Sequence, residues 1–166
     1  EGWKLVRHVA KEVKVIYILR DPVSRLWSHI KFHHQFVGQQ EDFTTWSAGK
    51  FEAFISSHFI WPNCEYARWI DIMKRNLSED EFKIFYFEDL VSRPVQELRK
   101  LEDFLGISNM DYSKLELDKP INASKKIEMP EAFTEVALKM LLPEMEKLDN
   151  IQVKRHESWL TNALTT

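Results

Sequence analysis

Arg20 and Ser28 are the residues in this chain whose types and setting most clearly suggest chemistry. The apolar run Val15–Leu19 ends on Arg20-Asp21-Pro22, and an amphipathic stretch follows at once. Arg20 presents a planar fork of donors that suits a phosphate. Asp21 suits a helix N-cap and Pro22 the first helical position after it. The stretch therefore predicts a strand, a tight joint and a helix, with Ser28 turning its hydroxyl toward Arg20. In open α/β sheets ligands bind at the carboxyl ends of the strands. His29, His33 and His34 cluster on the same helix. An imidazole there could take a proton near neutral pH, with His33 and His34 placed best for an approaching substrate; the alternative is a polar or capping histidine near a helix end. His29 and His33 are spaced to share a helix face, but Ile30 stands where the helical zinc pattern needs Glu, so no metal is expected.

The run Leu19-Arg20-Asp21-Pro22-x-x-Arg25-x-x-Ser28-His29 resembles the 3′-phosphate-binding element of the sulfotransferases. These enzymes transfer a sulfuryl group from 3′-phosphoadenosine 5′-phosphosulfate (PAPS) and release adenosine 3′,5′-bisphosphate (PAP). The resemblance implies that Arg20 and Ser28 bind the 3′-phosphate. Downstream, Tyr66-Ala-Arg-Trp69, Tyr86-Phe87-Glu88-Asp89-Leu90, Pro94 and Phe104-Leu-Gly106 look like the second half of the same family. Tyr66 would then touch the nucleotide or acceptor, or pack in the core. Glu88 and Asp89 suit the start of a helix, where acidic side chains are favourable. A third match is Asn122-Ala-Ser124-Lys125-Lys126. In carbohydrate sulfotransferases and their bacterial relatives such a loop closes over the 3′-phosphate, which implies a binding role for Lys125 or Lys126; otherwise the pair is a solvated surface feature.

The likeness runs from about Val13 to Leu148 and implies a P-loop-like, three-layer α/β fold with helices flanking a parallel sheet. It implies PAPS as co-substrate, no metal, and a small-molecule or carbohydrate acceptor. The family's first strand ends in a Gly-rich loop that holds the 5′-phosphosulfate through backbone amides and a basic side chain. Of the four glycines, Gly2, Gly38, Gly49 and Gly106, none sits in such a loop. The first strand and its loop are expected before Glu1, and the chain is expected to be a single, partial domain covering residues 1–166. A non-catalytic nucleotide-binding or adaptor module of the same fold is the alternative. A nucleotide kinase would need a Gly-Lys-(Ser/Thr) loop, and a purely helical interaction domain would leave the Arg20–Ser28 pattern unexplained.

The elements that must position these groups can be read along the chain. Periodicity predicts helices over Leu5–Val13, Pro22–Val37, Phe51–Phe59 and Glu65–Asn76. Another is expected from Pro94 to Leu105, stopped by Gly106, and a last one from Pro130 to Leu148, interrupted at Pro143. Strands are predicted at Val15–Leu19, covered on both faces, and at Phe82–Phe87. Gly38 should end the second helix, and the variable loop 39–50 should meet the acceptor.

Composition narrows the class. Hydrophobic residues make up 44% and charged residues 30%, ordinary values for a globular domain. A net charge of -3 argues against general nucleic-acid affinity. The single cysteine, Cys64, allows no intrachain disulfide and points to a reducing compartment. No run reaches the roughly 18 apolar residues of a membrane span. A cytoplasmic location is expected, or the Golgi lumen if the chain is part of an anchored enzyme.

Overall fold

The computed structural model describes residues 2–37, 42–117, 119 and 126–159. They form two compact units, each built from two separate stretches of chain: residues 1–19 with 68–120, and residues 20–67 with 121–166.

The first unit holds the sheet. Strands β1 (Val15–Leu19) and β2 (Phe82–Tyr86) pair in parallel, with Val15 opposite Phe82 and Leu19 opposite Tyr86. Helix α1 (Gly2–Val9) precedes β1. It starts and ends earlier than the expected Leu5–Val13. Arg7 explains the placement: its guanidinium pairs with Glu81 and donates to the Asn76 carbonyl at 2.9 Å, pinning the helix to the turn before β2. Leu19 is fully buried, but Ile18 is half exposed. The expectation of a strand covered on both faces is therefore corrected: alternate residues face opposite sides, Leu19 alone is fully buried, Val15, Ile16 and Tyr17 are partly covered, and the side of Ile18 stays open at that residue.

Helices α5 (Phe87–Ser92) and α6 (Pro94–Leu105) follow β2. Glu88 and Asp89 lie in the first turn of α5, as expected. Gly106 ends α6 with φ 68°, and the Ile107 N–H returns to the Glu102 carbonyl at 3.1 Å. Glycine takes this left-handed backbone without the Cβ penalty other residues incur. The buried Glu102 carboxylate then fastens the loop beyond: it accepts from the Met110 N–H at 2.7 Å, the Tyr112 hydroxyl at 2.6 Å and Arg99 at 2.6 Å.

The second unit is helical. Helix α2 (Pro22–Val37) begins where the sequence says it should. Asp21 is buried and its Oδ1 accepts from the Ser24 N–H at 2.7 Å, closing one of the orphan donors of the first turn. Val23, Leu26, Trp27, Ile30 and His34 recur at helical spacing and are all buried. Helix α3 (Ala48–Ile55) starts before the expected Phe51, because Ser47 caps it by accepting from the Lys50 N–H at 3.2 Å. It also ends before Phe59, and Trp61–Asn63 form a separate short turn. Helix α4 (Tyr66–Asn76) starts in this unit and continues in the first.

Helix α7 (Glu131–Asn150) completes the core of the second unit. Its Phe133, Ala137 and Leu141 pack with Leu26, Trp27, Phe43, Trp46 and Phe51. The Phe51 and Phe133 rings stack 4.2 Å apart and nearly parallel. The expected interruption at Pro143 does not occur. Pro143 lies inside a continuous helix on its exposed face, as does Lys139, whose carbonyl loses its helical partner to the proline. Water can satisfy that carbonyl there, so the proline does not end the helix.

Candidate functional site

Of the residues expected at the nucleotide, Ser28 lies on α2, Arg20 immediately before the cap of that helix, and Tyr66 at the start of α4. Arg20 is half-buried and sits between the last residue of β1 and the cap of α2. Its carbonyl belongs to neither element's hydrogen-bond ladder. The buried hydroxyl of Tyr66 donates to it at 3.0 Å. Ser28 is half-buried on the second turn of α2. Lys31 follows one helical turn beyond Ser28, and residues so spaced share a face. Burial, and then the charge of Arg20, lower the Lys31 pKa, so the two cations lie within electrostatic reach. Sequence reading missed Lys31, although its spacing from Ser28 was a usable signal.

Lys126 is exposed at the end of the described loop segment. Its neighbour Ile127 accepts, through its carbonyl, a 2.7 Å hydrogen bond from Trp27 Nε1. The helix that carries Ser28 thus holds the strand of loop that carries Lys126. Lys125 and the Asn122–Ser124 triplet lie outside the described residues, as does Gly38.

The histidines separate by burial. His34 is 7% exposed and walled by Phe43, Trp46 and Phe54, with ring centroids at 4.4, 5.3 and 6.4 Å. A ring so enclosed packs the core and offers an incoming acceptor no approach. His33 is half-buried, with its ring edge-on to Phe54 at 5.6 Å and Nδ1 buried without a hydrogen-bond partner. His29 is half-buried too. Burial, then the charges of Arg25 and His33, lower its pKa and favour the neutral ring. Among the described residues no three of His, Cys, Asp and Glu gather as a metal site would require.

Arg25 has a different setting from Arg20. Its guanidinium lies over the Tyr66 ring, 5.8 Å from the centroid, and its Nη1 is buried without a hydrogen-bond partner. Cys64 lies close enough to feel the Arg25 charge, but burial dominates and pushes the thiol up to about 11. A thiol in that state is a small core residue rather than a nucleophile.

The sulfotransferase domain family matches residues 4–161. The chain belongs to the sulfotransferase family. A crystal structure of a sulfotransferase from Alicyclobacillus acidocaldarius has the same fold, with a TM-score of 0.68 over 95% of this sulfotransferase-family chain at 21% identity. The match spans 61% of the length of that protein. No curated protein matches the sequence. The mixed α/β architecture, with its small parallel sheet among helices, is that of the family.

Proposed function

We propose that this chain carries the 3′-phosphate site of an enzyme that moves a sulfuryl group from PAPS to a hydroxyl or amine acceptor. The Arg20 joint is the observation that supports this reading. A guanidinium stands at the exit of a parallel strand with its carbonyl anchored by Tyr66, and a hydroxyl and an ammonium follow it on α2 at Ser28 and Lys31. In this assignment Arg20 meets two phosphate oxygens, Ser28 donates to a third, and Lys31 adds positive charge. Lys126 would approach from the loop segment held by Trp27. These groups hold the nucleotide and do not touch sulfur.

At sulfur, the acceptor oxygen or nitrogen forms a new S–O or S–N bond as the S–O bond to the departing nucleotide breaks. The acceptor's proton passes to a base, and negative charge collects on the PAP phosphate. Such a step depends on positioning and on stabilising that charge. His33 is the better base candidate of the two expected histidines, because His34 is closed off by aromatic rings. The acceptor is a small molecule or a carbohydrate. No helix among the described residues is long and apolar enough to cross a membrane.

Calorimetric titration with PAP and with 5′-AMP tests the reading. Wild-type protein should prefer PAP. Arg20→Ala should weaken PAP binding by about 2–3 kcal/mol, the worth of charge-assisted hydrogen bonds, and leave 5′-AMP binding nearly unchanged. Equal losses for the two ligands would remove Arg20 from the 3′-phosphate.

A further inference from the structure

Tyr66 is among the most buried side chains of the second unit, at 2% exposure. Trp159 packs beside it, with ring centroids 6.3 Å apart, and the Arg25 guanidinium lies over its face. Its hydroxyl donates to the Arg20 carbonyl, at 3.0 Å. Little of the ring is left for a ligand to stack on. That carbonyl lies at the joint, where strand bonding has stopped and helix bonding has not begun. A backbone group there needs a partner from outside the two elements. The Tyr66 hydroxyl supplies it and so fixes the Arg20–Asp21 peptide plane, from which the Arg20 side chain departs.

We infer that Tyr66, held in place by Arg25, is a positioning residue that sets the aim of Arg20 rather than a residue that contacts the nucleotide. Arg25 acts through the same ring. Its Nη1 is shut off from the surface, and its charge sits on the electron-rich ring face, an arrangement that is favourable when desolvated. One arginine of the Arg-Asp-Pro-x-x-Arg run thus faces the anion and the other steadies the first. Sequence spacing alone does not separate these roles, because both side chains carry the same charge.

The inference rests on the proposed 3′-phosphate site, and a double-mutant cycle tests it separately from that site. PAP and 5′-AMP are titrated into wild-type protein, Tyr66→Phe, Arg20→Ala and the double variant. Phe51→Leu serves as a core control, since Phe51 stacks on Phe133 and the substitution leaves the Tyr66 hydroxyl and its bond to Arg20 in place. Loss of one aiming hydrogen bond should cut the preference for PAP over 5′-AMP about fivefold in Tyr66→Phe. Phe51→Leu should keep the preference even where its melting temperature falls. In the Arg20→Ala background, Tyr66→Phe should change PAP affinity no further, because the group it aims is gone. An unchanged preference in Tyr66→Phe overturns the inference. So does an equal loss of both ligands, or a full additional loss in the double variant. A wild-type protein with no preference for PAP overturns the 3′-phosphate site itself, and the inference falls with it.

Discussion

The tie between Trp27 and Ile127 gives a prediction whose size follows from the geometry. Trp27→Phe removes the 2.7 Å hydrogen bond from the indole Nε1 to the Ile127 carbonyl. It also trims a ring that is 6% exposed and lies edge-on to Phe43 and Phe133 at 5.3 and 6.3 Å. The hydrogen bond is worth about 1 kcal/mol. The space left by the smaller ring adds about 1–2 kcal/mol of global destabilisation. The hydrogen bond is the part of this loss that acts directly on the backbone beside Lys126. Trypsin cuts after lysine, and Lys126 is exposed, so cleavage between Lys126 and Ile127 reports how often that backbone opens. A loss of about 1 kcal/mol from the closed state should raise this cleavage rate about fivefold. The assay is limited trypsinolysis read by mass spectrometry, under conditions where both proteins stay folded, with urea unfolding run alongside. Phe51→Leu, which loosens the same core but keeps the indole hydrogen bond to the Ile127 carbonyl, should leave the local rate nearly unchanged. If Trp27→Phe lowers global stability but cleavage at Lys126 stays at the wild-type rate, the indole does not hold the loop.

Two further outcomes follow from the first unit. Hydrogen bonds from Arg7 and from Ser78 hold the Glu81 carboxyl below the usual carboxylate range. A depressed folded-state pKa contributes stability above the unfolded value, ordinarily 4.5, and that contribution fades as pH falls through the folded value. Melting of wild type and Glu81→Gln should therefore differ most near neutrality and converge in acid; a gap that stays constant down to pH 2 would refute the assignment. At Gly106, an alanine would have to adopt φ 68°, with no steric clash but with the left-handed backbone penalty. Gly106→Ala should cost about 1 kcal/mol in chemical unfolding, and a neutral result would mean that the helix end rearranges freely.

The parts of the site legible in the sequence are those built from near neighbours. Asp21 as cap, Pro22 as the first helical residue and Gly106 as a stop each satisfy a backbone need within a few residues, so residue type alone declares them. Ser47 had the same local logic, but Gly49, a weak helix former, obscured the start of α3. Pro143 misled because its cost depends on which face of the helix it occupies, and that is settled only by packing. The strand register, the Tyr66 bond to Arg20 and the Trp27 bond to Ile127 join residues far apart in sequence. Local pattern contains no trace of such pairings. His33 and His34 show the same limit: adjacent on one helix, they differ in that one is walled by rings.

The interleaving of the two units bears on the order in which a ribosome delivers them. The stretch ending at residue 120 finishes the first unit, while residues 20–67 still lack their partner stretch. Until Glu131–Asn150 emerges, Phe51 has no Phe133 to stack on, and the aromatic faces of α2 and α3 stay open. Nascent chains with such surfaces uncovered are prone to association. Helix α7 therefore closes this core as it emerges, and a nascent chain arrested just before it should be a form that a chaperone engages readily.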